Sequence, residues 1–540
     1  MAYLHFLDWL GSRLSEEIGV WFNPNDPANR LYPPQRVLDE VLALINSEEF
    51  AGIWTEEETR DETIGWVYQY FTPKELRDQS RKQSQAPRNS YELAFRNQFF
   101  TPRYVVKFLT DNTLGRTWYE MRQGETKLLE QCRYMVRWPN EVFLQEGESA
   151  PQSTDESPGD LSQEELLKQP AYVPHRPKKD PRELKILDPA CGSGHFLLYC
   201  FDLLQTIYEE AYDDPDIGPS LKKDYPTLDA MRHDVPGLIL RCNLYGIDID
   251  SRATQVAALT LWLRAQRAYH AMDFKADRPR IAQTNILCAE PMPGERALLD
   301  EFVVSLHPPV LGQLVRVVFD RMQLAGEAGS LLRIEADVAD AVAEAKKQWL
   351  TRPKAEQLTL WPKDKRPTVE QLGLFDVSGI TDEEFWHQAE ARVLDLLQTY
   401  ARHAADGTGL QRQLFADDAA RGFAFVDLCR QRFDVVLMNP PFGEASKPSK
   451  GYVEKAYPRT KNDVYAAFVE PGLQLLYGGG MLGAITSRTG FFLSSFQKWR
   501  EEILLREAWP TVFSDLGYGV LDTAMVETAA YCLSKTAPAG

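Results

Sequence analysis

From residue 184 onward the chain alternates strand-like apolar runs with amphipathic helical runs, and this alternation restricts the fold more than any other feature. The sequence predicts a strand at 184–187, a glycine-containing turn, a helix at 195–210, and a second strand that ends at 248–250. A long helix follows, and then a third strand at 281–287. Strands that alternate with helices form a parallel sheet with helices on both faces. The pattern therefore predicts an α/β protein with a doubly wound, Rossmann-like sheet.

The rest of the chain is predicted to be arranged around this sheet. Its first part is helical, the sheet pattern is interrupted once by a charged helical segment, and the strands resume with FDVVLM. The predicted regions are an N-terminal helical domain (1–90), a second helical region (91–139), an acidic Ser/Pro-rich linker (140–183), one half of the core (184–290), a mostly helical insertion (291–425) and the other half of the core (426–540).

Charge and cysteine usage exclude several classes of protein. The net charge of −18 disfavours a free-standing nucleic-acid binder, so any contact with DNA must come from a local basic patch, another domain or a partner. No run of 18 apolar residues suggests a membrane span, and the amphipathic, acidic N-terminus is unlike a signal peptide. The seven cysteines are scattered without CxxC spacing, and no HExxH pattern occurs, so no metal site is predicted. We expect a cytoplasmic protein.

The stretch ILDPACGSGHFL (186–197) carries a ligand-binding turn between a strand and a helix. Gly192 and Gly194 allow the backbone to approach a ligand, and the helix start offers free N–H groups. The dinucleotide fingerprint GxGxxG is not met, because position 197 is Leu, and the candidate acid Asp248 lies much further on than about 20 residues. Asp188 aims a carboxylate at the ligand, which suits a cation or an amine. The combination favours S-adenosylmethionine over NAD; the alternative is a tight turn with solvent-facing acids.

A second unusual stretch is RFDVVLMNPPFG (432–443). The apolar strand runs into an asparagine, two prolines and an aromatic residue, and proline must end the strand because it lacks an N–H and fixes φ.

Taken in order, TP (101–102), DPACGSG, GIDID and NPPF resemble the motifs of the N6-adenine DNA methyltransferases. The order is similar to that in type I modification subunits, type IIG enzymes and the methylases of BREX and DISARM phage-defence systems. The resemblance spans about 92–534, with 291–425 as an insertion. It implies S-adenosylmethionine as cofactor, double-stranded DNA as substrate, and a role in restriction-modification or antiviral defence.

The resemblance also implies roles for residues that bind the cofactor. Two segments would hold its methionine part: Phe100, Thr101 and Pro102, and the loop residues Asp188, Ala190, Gly192 and Gly194. Asp248 would take both ribose hydroxyls, Ile249 would lie under the adenine, and Asn285 would read the adenine amino group. The alternative for Asn285 is a strand-end amide that caps its own turn.

The same resemblance gives NPPF a chemical purpose. The exocyclic amine of adenine is a poor nucleophile because its lone pair is delocalised into the ring. Two acceptors on its N–H bonds, the Asn439 side-chain oxygen and the Pro440 carbonyl, would free that lone pair, and Pro441 would help to hold them rigidly. Phe442 would offer a stacking face to a base rotated out of the duplex. The alternative is a strand-terminating turn with a buried Phe.

Basic residues crowd the segment after NPPF. It is predicted to be a loop that contacts phosphates, with a solvated basic loop as the alternative, and its cations are Lys447, Lys450, Lys455, Arg459 and Lys461.

Other functions and partners stay open at this point. An RNA or protein-glutamine methyltransferase, or a catalytically vestigial cofactor-binding scaffold, would share parts of the pattern. Family members of this motif order usually carry a target-recognition domain after the last motif, so we expect recognition to come from a partner or an absent C-terminal domain. In the insertion, QLGLF (371–375) resembles peptides that dock onto the replication sliding clamp, and QLTLW (357–361) is a poorer copy. The alternative is that these apolar residues pin the insertion onto the core.

Overall fold

A seven-stranded sheet forms the centre of the computed structural model. The structure describes residues 6, 9, 33–55, 62–84, 86–96, 99–151, 162, 168–274, 278–281, 284–292, 296–306, 309–351, 381–402, 409–521 and 526–535. The strands in these ranges are β1 Glu141–Phe143, β2 Ala171–Val173, β3 Ile186–Asp188, β4 Leu244–Asp248, β5 Asn285–Cys288, β6 Phe433–Met438, β7 Leu476–Ser487, β8 Trp509–Gly517 and β9 Thr528–Ser534.

The order of the strands in the large sheet is β5-β4-β3-β6-β7-β9-β8. The first five are parallel neighbours, whereas β9 runs antiparallel to both β7 and β8. The order reverses at β3, and ligands bind at such switch points, beyond the carboxyl ends of the strands. This arrangement confirms the predicted α/β class and the doubly wound, Rossmann-like sheet.

Helices make up most of the rest of the described structure. Those before the insertion are α1 Gln35–Ile45, α2 Glu48–Thr55, α3 Thr63–Gln69, α4 Lys74–Gln83, α5 Ser90–Arg96, α6 Arg103–Thr110, α7 Arg116–Met121, α8 Leu128–Gln131, α9 His195–Asp213, α10 Gly218–Asp224, α11 Leu228–Leu238 and α12 Ser251–Ala271. Those that follow are α13 Arg296–Ser305, α14 Pro309–Arg321, α15 Ala325–Ala328, α16 Ile334–Thr351, α17 Asp382–Arg402, α18 Gly409–Arg430, α19 Lys447–Ala456 and α20 Val464–Gln474. Among the described residues, no helix is both long and apolar enough to cross a membrane.

The central strands are mostly apolar, as strands are when both faces of a sheet are covered. In β6, FDVVLM, five of the six residues are buried, as expected for a strand in a parallel sheet. Ile186 of β3 pairs with Leu244 of β4 on one side and with Val435 of β6 on the other. The two halves of the core, which lie far apart in the chain, therefore form one sheet.

Within 291–425 the described part is helical. Its helices α13 to α18 bury a cluster of aromatic side chains that includes Phe302, Trp386, Phe415 and Phe423. The two stretches that resemble sliding-clamp peptides, at 357–361 and 371–375, lie outside the described residues, so the clamp prediction is not tested.

Several local predictions differ from the structure. The second strand begins only at Leu244, after α11 and a π-helical turn, Ile239–Asn243. Two short parallel strands, β1 and β2, lie within the predicted linker. The strand β8 was not predicted at all, and the sequence SSFQKWREEILL before it, which predicts a helix, forms only short helical turns, Ser494–Phe496 and Trp499–Leu504.

Asn243 holds the first two strands of the core in place. This fully buried amide donates to the carbonyls of Pro181 and Leu184, both at 2.7 Å, and its oxygen accepts a 3.0 Å bond from the Tyr208 hydroxyl. It thereby ties the turn before β3, the start of β4 and the helix α9 to one another.

We expect Asn243→Ala to lower the free energy of unfolding by about 2–4 kcal/mol, because it removes three buried hydrogen bonds at once. Urea denaturation measures this loss. Asn140→Ala is the matched control, since that exposed amide also donates to a carbonyl, that of Lys168, and its loss should change stability by less than about 0.5 kcal/mol. Equal effects of the two substitutions would contradict this account of Asn243.

Candidate functional site

A cleft of about 840 Å³ lies at the carboxyl edge of the sheet, and a smaller one of about 360 Å³ adjoins it. Residues that follow β3, β4 and β6 line the larger cleft, and the two clefts share Phe99, Ala190, Gly192 and Asn439. The predicted cofactor loop and the predicted catalytic asparagine are therefore brought together, although they lie more than 240 positions apart in the chain.

The glycine loop after β3 has the conformation for which its glycines are needed. Gly192 and Gly194 have φ values of 52° and 88°, a region that residues with side chains rarely adopt. Gly194 precedes the first residue of α9, and a Cβ there would lie 3.3 Å from the Cβ of Ala257. The loop is fixed to the next strand, because Cys191 N donates to the Ile247 carbonyl at 2.9 Å.

Two carboxylates face this loop from neighbouring strand ends, and that of Asp188 is buried while that of Asp248 is half-buried. Asp188 Oδ1 accepts from Ala190 N at 3.1 Å, and Asp248 accepts from Gly192 N at 2.8 Å and from Asp250 N at 2.9 Å. Burial raises the pKa of Asp248 to about 6, although the N–H groups that donate to it act to lower that pKa. Burial, together with the charge of Asp248, raises the pKa of Asp188 well above its usual value. The site therefore favours a ligand that brings positive charge or hydrogen-bond donors.

The FFTP segment reaches the carboxyl end of β6 directly. Asn439 Nδ2 donates to the Phe99 carbonyl at 2.7 Å and to Thr101 Oγ1 at 3.0 Å. A carbonyl can only accept, so this contact fixes which end of the amide is the nitrogen. Among the described residues, the buried Oδ1 has no hydrogen-bond partner, and Asn439 lines both clefts. The unpartnered atom is thus an acceptor.

The other residues of NPPF occupy different surroundings. Pro441 lines the larger cleft, whereas Pro440 is buried and lines neither cleft. The Phe442 ring is only 8% exposed, and its centroid lies 5.7 Å from that of Phe99 and 6.2 Å from that of Tyr465. In this state the ring packs against protein, so its use as a stacking face stays a prediction.

Most of the predicted cofactor residues lie at the clefts; Gly194 follows the lining residues of the glycine loop without lining a cleft itself, and Asn285 lies elsewhere. Phe100, Thr101, Asp188, Ala190, Gly192, Asp248 and Ile249 line them, and Pro102 lies beside Thr101 at the start of α6. Asn285 does not, and the prediction for it is wrong. It pairs with Tyr245 at the amino end of β5, and its amide bonds the carbonyls of Leu240 and Arg241. The carboxyl edge at this strand is formed by Cys288 and Ala289 instead.

The prediction for the basic segment after NPPF also needs correction. Lys447, Lys450 and Lys455 lie on the helix α19 rather than on a loop, and they are exposed, as is Lys461. Arg459 was predicted to contact phosphates, but its guanidinium bonds the carboxylates of Glu470, at 2.6 Å, and Glu507.

The part that the insertion takes in the cleft was not predicted. Residues 327–331, from α15 and the turn after it, line one side of the larger cleft. The Ser330 hydroxyl donates to the Pro189 carbonyl at 2.9 Å, and the Ser446 hydroxyl donates to Glu327 at 2.7 Å. The insertion therefore contacts both the cofactor loop and the segment after NPPF.

Asp463 holds the NPPFG turn in place. This residue was not among the predicted ones, although an aspartate just before an apolar helical run is a typical N-cap. Its carboxylate accepts from Gly443 N at 2.8 Å and from Tyr465 N at 3.2 Å at the start of α20. Burial raises the pKa of Asp463 to about 7.

The helix α3 covers the glycine loop from the N-terminal side. A Cβ at Gly65 would lie 2.7 Å from Ser193 Oγ, and the Trp66 ring packs against those of Phe100 and His195. Burial lowers the pKa of His195 to about 4, with a smaller contribution from Arg264, so this imidazole is neutral at neutral pH.

Two family models match the chain. The model for the Eco57I restriction-modification methylase matches residues 242–514, half of the chain, and the model for the MmeI DNA-methyltransferase domain matches residues 177–290. The chain belongs to the Eco57I restriction-modification methylase family. This membership agrees with the motif resemblance found in the sequence.

Two curated relatives carry related names. The chain is 24% identical to the adenine-specific methyltransferase PglX of Lacticaseibacillus casei (strain Zhang), over 99% of this chain and 36% of that protein. It is also 24% identical to the adenine-specific methyltransferase BrxX of Escherichia coli O9:H4 (strain HS), over 88% of this chain and 33% of that protein. The chain thus spans about a third of the length of these relatives. A cryo-EM structure of a DrdV–DNA complex aligns with 99% of this chain and 39% of that chain, at 11% identity and a TM-score of 0.34, too low to support an argument.

The buried Asp463 makes stability depend on pH. Its folded pKa of about 7 lies above its unfolded value of about 3.9, so its contribution to stability is complete below about pH 4 and is lost as the pH rises to about 7. Asp463→Asn keeps the capping oxygen and cannot ionise. We expect the variant to become more stable than the wild type, by about 1–4 kcal/mol at pH 8.

Urea denaturation at about pH 5 and pH 8 measures this difference, which should grow with pH. A difference that stays constant would show that the carboxylate is not destabilised in the folded protein.

Proposed function

We propose that this chain is the core of an S-adenosylmethionine-dependent DNA methyltransferase that acts on the N6 amine of adenine. The observation that carries the proposal is the state of Asn439, whose Nδ2 is held by Phe99 and Thr101 while its buried Oδ1 is left as an acceptor. An amine that enters the cleft can donate to that oxygen. Family membership and the names of the two relatives support the same reaction.

The cofactor supplies a methyl group bound to a positively charged sulfur. The chain's own part is to make the adenine amine nucleophilic and to aim it. Asn439 Oδ1 and the Pro440 carbonyl would accept hydrogen bonds from the two N–H groups of the amine, which would localise its lone pair on nitrogen. Because Nδ2 is already bonded and the prolines fix the backbone, these acceptors need little reorganisation in the transition state. With the methyl donor held beside the glycine loop, the amine oriented by Asn439 and Pro440 would take the methyl group and lose one proton.

The side chains that line the clefts have the chemistry needed to bind the parts of S-adenosylmethionine. The loop of Ala190, Gly192 and Gly194 together with Asp188 would take the methionine part, because the carboxylate suits its amine. Asp248 would accept from the ribose hydroxyls, as each of its oxygens retains a free lone pair beside the bonds from Gly192 and Asp250. Ile249 lines the larger cleft, where an adenine would lie.

The proposal for how DNA binds rests on fewer contacts than the proposal for the cofactor. A base rotated out of duplex DNA would enter the larger cleft beside Asn439 and Pro441, with Phe442 as the stacking ring once Phe99 moves aside. The exposed Lys447, Lys455 and Lys461 would contact phosphates. We further propose a role in restriction-modification or phage defence in the cytoplasm, with sequence recognition provided by a partner or by a further domain.

We expect Asn439→Ala to lower the rate of methyl transfer by at least about 10²-fold, because one preorganised acceptor is lost. Affinity for S-adenosylhomocysteine should stay near that of the wild type, since this oxygen is assigned to the substrate amine. Transfer of a labelled methyl group to DNA, RNA and protein, run in parallel, measures the rate and identifies the substrate class.

Asn285→Ala is the matched control, because that amide bonds carbonyls at the opposite edge of the sheet and should leave transfer intact. Labelling of RNA or protein but not DNA would overturn the proposed substrate, and lost affinity in Asn439→Ala would make the residue structural.

Cofactor binding should weaken as the solution becomes more acidic. Asp248 accepts from the ribose best when ionised, and its pKa of about 6 means that it is protonated in more acidic solution. We expect affinity for S-adenosylhomocysteine, measured by calorimetry, to fall by up to about tenfold per pH unit below pH 6. Asp248→Asn should bind weakly and with a flatter pH dependence. An affinity that rises toward low pH would refute this role.

A further inference from the structure

Two large apolar side chains are exposed on the turn that follows β7. Phe492 is 65% exposed and its neighbour Leu493 is 50% exposed. The strands β6 and β7 are parallel neighbours, so this turn leaves the sheet at the same edge as the NPPF turn.

The backbone that presents these side chains is firmly held. Arg500 Nη1 donates to the carbonyls of Gly490 and Leu493, both at 2.7 Å, and the N–H groups of Phe492 and Leu493 both donate to the Thr489 carbonyl. The preceding Phe491 ring packs inward against Trp499, with ring centroids 5.1 Å apart. A well-ordered turn thus holds two apolar side chains outward.

The turn lies directly beside the catalytic motif. A Cβ at Gly490 would lie 2.7 Å from the Tyr465 hydroxyl, and the Tyr465 ring packs against Phe442. Asn462 also bonds the Ser495 carbonyl, which links the turn to the segment that carries the exposed Lys461.

The charge of this edge indicates what covers the apolar pair. Exposed lysines follow the NPPF turn along the chain, Lys447 and Lys455 on α19 and Lys461 after it, and Lys461 adjoins Asn462, which bonds the Ser495 carbonyl beyond the turn. The Arg488 guanidinium carbon lies 5.5 Å from the centroid of the Phe492 ring. Cations beside an apolar tip suit the phosphates and the stacked bases of a duplex. An enzyme that rotates a base outward must also compensate for the lost stacking.

We propose that Phe492 and Leu493 form a wedge that enters the base stack of duplex DNA and occupies the space left by the rotated adenine. This inference rests on the proposed function. The wedge acts on the opening of the duplex and makes no contact with the cofactor or the reacting amine.

The test compares two DNA substrates. Sequencing of DNA methylated by the wild-type chain identifies a modified adenine, and short duplexes are made with that adenine either paired or opposite an abasic site. We expect Phe492→Ala and the double variant with Leu493→Ala to lower the methylation rate on the paired duplex by roughly 10- to 100-fold. The rate on the unpaired duplex should fall much less, because less pairing energy has to be overcome there. Affinity for S-adenosylhomocysteine should be unchanged.

Leu505→Ala is the matched control. Leu505 is 60% exposed but precedes β8, at the opposite edge of the sheet, so it should leave both rates unchanged. If the wild type methylates DNA and the wedge variants keep its ratio of rates on the two duplexes, the wedge is wrong while the proposed function stands. That outcome would indicate that the pair docks another protein or domain. If the wild type methylates no DNA, the proposed function fails, and the wedge fails with it.

Discussion

The active-site region depends on one short strand that pairs in parallel on both sides. β3 has only three residues, yet it joins β4 to β6 across about 190 residues of sequence. Parallel pairing brings the carboxyl ends of all three strands to one edge, and each end carries a group of the site: the glycine loop, Asp248 and Asn439. A chain that failed to pair β3 would separate the proposed cofactor loop from the proposed acceptor.

Pairing of strands does not complete the site, because the FFTP segment must also dock onto it. The Phe99 carbonyl and Thr101 Oγ1 orient the amide of Asn439, while α3 covers the glycine loop. The ionised carboxylates of Asp188 and Asp248 are unfavourable without a ligand, since both groups have raised pKa values. A ligand that supplies donors relieves this, so we expect binding to stabilise the fold as well as to fill the cleft.

The sequence predicted those parts of the fold and the site that follow from local patterns. The strand–turn–helix around Gly192, the position of Asp248 and the end of β6 at Asn439 all depend on neighbouring residues, and the structure brings them together. Asn285 was misplaced because β5 has four residues, and such a short apolar run does not show where the strand begins. The edge strand β8 was missed because a half-exposed strand that contains Pro510 lacks a continuous apolar pattern. No pattern marked 327–331, because its role arises from tertiary contacts with Pro189 and Ser446.

The bonds that residues 327–331 make to both halves of the core have a consequence for engineering within this family. An insertion is commonly treated as a module that can be shortened or exchanged between relatives. Here a chimaera that replaced 291–425 would also exchange one side of the cleft, including the partners of Pro189 and Ser446. Such a graft would have to carry its own versions of Pro189 and Ser446, so the unit of exchange is larger than the insertion itself.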